Sequence, residues 1–164
     1  MSRTTIWNVY KTKATPRLEL PNSWWTAPPL WDYLCETYLD GKKWIHGDVP
    51  ELWEIWKNKT VPDFLRCALL MTFDKAIVEI ADLGQAAQYC GNTNSFLSER
   101  VDYGLHWQSI ADELVKAHHK HDKRCLGIGL GCTSVSDPWW NYKKGVELFS
   151  VIAAVNEIGD KASK

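Results

Sequence analysis

Cys125-Leu126-Gly127-Ile128-Gly129-Leu130-Gly131-Cys132 alternates large apolar residues with glycine, and that period of two is the signature of a β-strand. Its glycine face lets another backbone or a large side chain approach closely. One such strand needs a partner, and Thr4-Thr5-Ile6-Trp7-Asn8-Val9-Tyr10, rich in β-branched and aromatic residues, is the natural one. Between and beyond these two segments the apolar residues recur at helical spacing.

Pro16 and Pro21 bracket an extended segment, and Pro21 to Pro29 carries strong turn chemistry. A first helix follows from about Pro29, with Leu30 or Trp31, Leu34, Cys35 and Tyr38 on one face, and Asp40-Gly41 ends it. Asp48-Val49-Pro50-Glu51 combines a capping residue, an early proline and an acid three positions on, which predicts a short second helix bearing Leu52, Trp53 and Trp56. Thr60-Val61-Pro62-Asp63 repeats that logic for a third, whose stripe is Leu65, Ala68, Leu69, Thr72, Phe73 and Ala76. Ile80, Leu83, Ala86, Ala87 and Cys90 predict a fourth, closed by Gly91 and followed by a polar loop, Asn92 to Ser98. A fifth spans Trp107 to Lys120. The segment Tyr142 to Ile158 reads as a sixth, although Val151 to Val155 also suits a strand. The expected fold is thus mainly α (α+β), one domain over residues 1–164, with five or six helices packed around a two-stranded sheet.

Composition narrows the function classes. Across 164 residues, 19 basic and 20 acidic side chains nearly cancel, so the basic stripe of a duplex nucleic-acid binder is absent. No stretch approaches the roughly 20 apolar residues of a membrane span. Met1 to Lys13 carries charge without the apolar core of a secretory signal. The expected setting is cytoplasmic, and there the cysteines Cys35, Cys67, Cys90, Cys125 and Cys132 are expected as free thiols.

Ten tryptophans are several times ordinary usage, and pairs cluster at Trp24-Trp25, Trp53 with Trp56, and Trp139-Trp140. Tryptophan couples a large apolar area to one N–H, which suits binding surfaces as well as cores. Adjacent residues on a helix or strand do not point the same way, so one member of each adjacent pair faces away from its neighbour's core. Two loops combine tryptophan with small polar residues. They are Asn22-Ser23-Trp24-Trp25-Thr26 and Thr133-Ser134-Val135-Ser136-Asp137-Pro138-Trp139-Trp140. The candidate ligand- or partner-binding residues are therefore Asn22, Trp24, Trp25, Ser134, Asp137, Trp139 and Trp140, with no catalytic or metal-binding set assigned. The competing reading is that these rings pack over the glycines of the sheet.

Other constellations have plainer explanations. Gly127-x-Gly129-x-Gly131 lacks the spacing and the strand-to-helix setting of a phosphate loop. His118, His119, His121, Cys125 and Cys132 suggest a metal at first, but no second tight ligand pair accompanies them. His118 to Arg124 instead reads as a solvated helix end whose positive charge offsets the dipole. Cys132, Ser134 or Asp137 with His106 would be the parts of a small hydrolase or transferase, yet Ser136-Asp137-Pro138 is equally a turn. Asp74, within an apolar stretch, faces solvent or finds a partner such as Arg66 or His106.

Three phrases occur together in order: Asn22-Ser23-Trp24 with Leu30-Trp31-Asp32-Tyr33-Leu34, then Leu70 through Val78, then Thr133 through Trp139. In that arrangement the chain resembles an uncharacterised family of small phage- and prophage-encoded accessory proteins. The resemblance implies no catalytic residues and no cofactor. It implies a phage accessory or counter-defence factor in the host bacterial cytoplasm, acting on a host protein or a nucleotide-like ligand. The alternatives are the hydrolase or transferase above and a virion or assembly component.

Overall fold

The computed structural model describes residues 2–46, 49–133, 139–140, 142 and 145–163. Its order is β1 (Arg3–Val9), β2 (Ala14–Pro21), α1 (Ala27–Tyr38), α2 (Asp63–Met71), β3 (Ala76–Glu79), α3 (Leu83–Ser98), α4 (Trp107–His119), β4 (Gly127–Thr133), β5 (Phe149–Ser150) and α5 (Val151–Ser163). Short 3-10 helices at Ser23–Trp25, Trp44–His46, Pro50–Lys57 and Ile80–Asp82 connect them.

The sheet has five strands rather than the two expected, in the order β2-β1-β4-β3-β5. The expected pair is present, with β1 antiparallel to β4 and Trp7 opposite Gly129. Three further strands join it, of which β2 contains the segment expected to be extended between Pro16 and Pro21. β2 carries Pro16 and Pro21, tolerated because it lies at the edge and need not donate on its outer side. The register of β1 against β2 slips between Ile6 and Trp7, which are opposite Leu18 and Pro16, so Arg17 is the extra residue. It uses that freedom to pair with Glu113 of α4 at 2.7 Å.

The third helix is expected to run on to Ala76, where β3 begins. Instead α2 stops at Thr72, whose hydroxyl donates to the Leu69 carbonyl at 2.7 Å, and Lys75 turns the chain with φ of 60°. A left-handed lysine costs roughly 1–2 kcal/mol, and no glycine or proline marks the spot. β5 is two residues long and parallel to β3. It falls within Tyr142 to Ile158, the segment expected to be a helix; the helix begins only at Val151, so the Val151 to Val155 ambiguity resolves as helix. α3 continues through Gly91 to Ser98, so the expected polar loop is helical. Thr93 and Leu97, buried four residues apart, hold it against the core.

The two faces of the sheet bury different clusters. Ile6, Ala76, Val78, Ile128 and Leu130 point into the large core with the buried residues of the helices. Trp7, Val9 and Ile77 point the other way, under Trp139 and Tyr142. The glycines of β4 lie on this second face. A Cβ on Gly129 would meet the Trp139 indole at 2.4 to 2.6 Å, and one on Gly127 would meet the Val78 carbonyl oxygen at 2.2 Å. The glycine alternation thus admits an indole and a neighbouring strand. No described helix is long and apolar enough to cross a membrane.

Candidate functional site

The largest group of exposed rings lies around the start of α1. Asn22, in a left-handed conformation that its short amide tolerates, accepts the Trp24 backbone N–H on Oδ1 at 3.2 Å. The 3-10 turn so capped carries Trp24 and Trp25, which are 50% and 37% exposed. Trp24 tilts against Trp44 at 5.6 Å between centroids. Trp44 meets Trp31 edge to face at 5.3 Å, Trp31 meets Trp53 at 5.4 Å, and Trp53 meets Phe73 at 5.8 Å. Trp25 stacks on Tyr103 at 6.1 Å. Ile45 and Trp53, both exposed, extend the apolar surface.

A buried polar brace holds this surface from behind. Thr26 Oγ1 is 2.7 Å from Thr4 Oγ1 of β1 and 2.7 Å from His106 Nδ1. The Trp107 indole donates to the Thr26 carbonyl at 2.9 Å, and the His106 backbone N–H donates to the Trp25 carbonyl at 3.2 Å. Burial pushes the His106 pKa down, partly offset by its hydrogen bond to the Pro21 backbone. A neutral imidazole is what such a site favours. On the other flank Trp31 Nε1 donates to Thr72 Oγ1 at 3.3 Å, tying the ring to the end of α2. The exposed rings are therefore set on elements with little freedom, which lowers the ordering cost of binding.

Asp32 sits beside these rings on the exposed side of α1. Its carboxyl is held above the usual range, mainly because neighbouring groups exclude water, with Glu36 adding to the effect. The nearby Trp44 indole and Lys43 pull it partly back. The Trp44 N–H is itself buried and makes no bond of good geometry.

The sequence candidates divide. Asn22, Trp24 and Trp25 belong to this surface. Trp139 lies on the far face of the sheet, fully buried between Gly129 and Tyr142, while Trp140 is 66% exposed and touches none of the Trp24 rings. Ser134 and Asp137 lie outside the described residues. Sequence reasoning missed Trp31, Asp32, Trp44, Phe73 and Tyr103, and it noted Trp53 without assigning it to the site. No local motif joins them; only the packing of α1 against the two 3-10 segments does.

Cys132 receives a long contact from Thr4 Oγ1 at 3.9 Å, so two threonine hydroxyls link it to His106. His118 and His119 lie edge to face, His121 bonds the Ala117 carbonyl, and the Cys125 thiol donates to the Gly127 carbonyl. Among the described residues no three His, Cys, Asp or Glu side chains converge as a metal site. All five cysteines are free thiols. Asp74 neighbours Lys75, and Arg66, itself buried, instead donates to the exposed Asp63 carboxylate and to the Val61 carbonyl.

No family model, curated protein or solved structure matches this chain.

Proposed function

We propose that this chain is a binding protein whose aromatic surface, Trp24, Trp25, Trp31, Trp44, Ile45 and Trp53, docks a partner protein. The observation that carries the reading is the continuous run of rings from Trp24 through Trp44, Trp31 and Trp53 to Phe73, left partly open to solvent and braced from below. Tryptophan is over-represented among residues that dominate binding energy, in patches where several large rings lie together. An exposed apolar patch of this kind on a soluble chain marks an interaction site.

The ring geometry favours a protein over a nucleotide-like ligand. Trp31 and Trp53 are 89° apart, Trp53 and Phe73 are 78° apart, and Trp31 and Trp44 are 71° apart. Edge-to-face packing spends ring faces on neighbouring ring edges and leaves a broad relief, not a slot for a planar base. The resemblance to phage and prophage accessory proteins makes a bacterial host protein the partner in this reading.

The test is quantitative capture from bacterial lysate by tagged wild-type protein, Trp24→Ala and Trp53→Ala, with Val115→Ala as a control on a distant exposed residue. Each tryptophan variant should lose at least about tenfold in affinity for the captured protein, since such truncations cost at least about 2 kcal/mol. Circular dichroism should show the fold intact. Equal capture by all four, or light scattering that shows the surface occupied by a second copy of the chain, overturns the reading.

A further inference from the structure

We propose that the cavity between β2 and the C-terminal end of α4 is a second binding site, which takes a small molecule bearing a phosphate group. The cavity measures about 720 Å³, within the usual size range of small-molecule sites. It shares no residue with the aromatic surface and is independent of the docking reading.

The charge balance of the cavity is uneven. Arg17, Lys116 and Lys120 line it together with one carboxylate, Asp122. Glu113 is bound to Arg17 at 2.7 Å and to Lys116 at 3.8 Å, and Asp122 is bound to Arg124 at 3.0 Å. Four cations thus share two carboxylates, an excess of two positive charges on a chain whose net charge is -1. Lys120 makes no ion pair among the described residues. The donors are also held in place. Arg17, the extra residue where β1 and β2 slip register, has Nε on Glu113 and Nη1 3.4 Å from Asn8 Oδ1, which fixes the guanidinium and leaves Nη2 unused among the described residues. His121, also in the lining, has Nδ1 2.8 Å from the Ala117 carbonyl. A carbonyl only accepts, so Nδ1 carries the proton and Nε2 is left for a ligand. The Lys116 carbonyl in the same turn accepts the Lys120 backbone N–H at 2.9 Å. With both carbonyls engaged, the negative end of the α4 dipole is partly screened from an anion.

A phosphate monoester fits this set. Its dianion matches the excess of positive charge, and its three acceptor oxygens suit a fixed guanidinium fork beside two lysines that act as movable point charges. Val115, exposed on the cavity wall, and the stems of Lys116 and Lys120 offer apolar area to the organic part. A carboxylate brings half the charge and one oxygen fewer, and a metal cation is repelled by the same side chains.

The experiment follows the histidine ring signals of the full chain by NMR at about pH 7.5, where a phosphate monoester is a dianion. Phenyl phosphate is titrated in at constant ionic strength, with neutral phenol as the control. Phenyl phosphate should shift the His119 and His121 signals saturably and leave the His106 signal, behind the aromatic surface, in place. Inorganic phosphate should compete for the same signals. Lys120→Gln has no ion pair to lose, so its melting temperature should hold. Its affinity for phenyl phosphate should fall at least about fivefold with the loss of one charge-assisted contact. Shifts that do not saturate, equal shifts from phenol, failure of inorganic phosphate to compete, or binding by Lys120→Gln as tight as by wild type overturns the proposal. Capture of the partner protein should be the same for Lys120→Gln as for wild type. Its loss would put the cavity inside the docking interface and overturn its assignment as a separate small-molecule site.

Discussion

Replacing Gly129 by alanine tests how the glycine strand and the second sheet face fit together. The new Cβ would stand 2.4 Å from Trp139 Cε2, 2.5 Å from Nε1 and 2.6 Å from Cζ2. Carbon atoms pack at about 3.5–4.0 Å, so the ring must retreat by about 1 Å or more. It has no room to do so cheaply. The indole is fully buried, packed with Tyr142 at 5.4 Å and covered by Lys75 at 5.1 Å. Overpacking of this kind costs about 1–3 kcal/mol, and expelling the ring altogether costs roughly 3–5 kcal/mol, as deleting it would. Against this stands a gain of about 0.5–1 kcal/mol from removing a flexible glycine from a strand. The net is a loss of about 2 kcal/mol, or a fall in melting temperature of roughly 4–8 °C for a chain of this length. Urea unfolding followed by far-ultraviolet circular dichroism reads it without relying on the indole itself. In a Trp139→Ala background the same change should cost almost nothing, a coupling of at least about 1 kcal/mol. A Gly129→Ala protein as stable as wild type, or one equally destabilised with and without Trp139, would refute the packing described for this face.

Two further outcomes follow from the brace behind the exposed rings. Thr26→Val keeps the volume but removes the hydroxyl shared by Thr4 and His106, leaving two buried polar groups short of a partner. It should cost about 1–3 kcal/mol in urea unfolding and loosen Trp25, visible as faster acrylamide quenching of its fluorescence. His106 has its pKa depressed by burial, so the unfolded chain takes up a proton first as the pH falls below the ordinary histidine value of about 6.5. Stability supplied by the neutral imidazole is complete above that value and is lost as the pH drops through the folded one. Urea midpoints measured from pH 7.5 to pH 5 should fall for wild type and fall less for His106→Gln.

The helical majority of the fold was legible because α1, α2 and α4 carry strong apolar periodicity and start or stop at prolines, Asp63 and His119-Lys120. The pairing of β1 with β4 was legible from alternation alone. β3 was not, because Phe73-Asp74-Lys75 contains no glycine or proline, and a left-handed lysine carries no sign in the sequence. Nor was β5, which is two residues long and rests on parallel pairing with Ala76 and Ile77. At the candidate site the Trp24-Trp25 turn was visible in its loop chemistry. Trp44 and Trp53 were not placed there, since their meeting with Trp31 joins three segments that share no motif. Trp139 and Trp140 illustrate the opposite case. Adjacent tryptophans in sequence part company in space, one filling the gap above Gly129 and the other facing solvent.

The most direct test of the docking surface is site-specific photocrosslinking in growing bacterial cells. A benzophenone side chain would replace Trp24, Trp53, Val115 or Leu126 in turn, all of them exposed. The expected result is one heterologous adduct of the same mass from positions 24 and 53, and none from 115 or 126. Adducts from positions 115 or 126 with none from 24 and 53, or no adduct from any of the four, would contradict the assignment of the aromatic surface as the binding site.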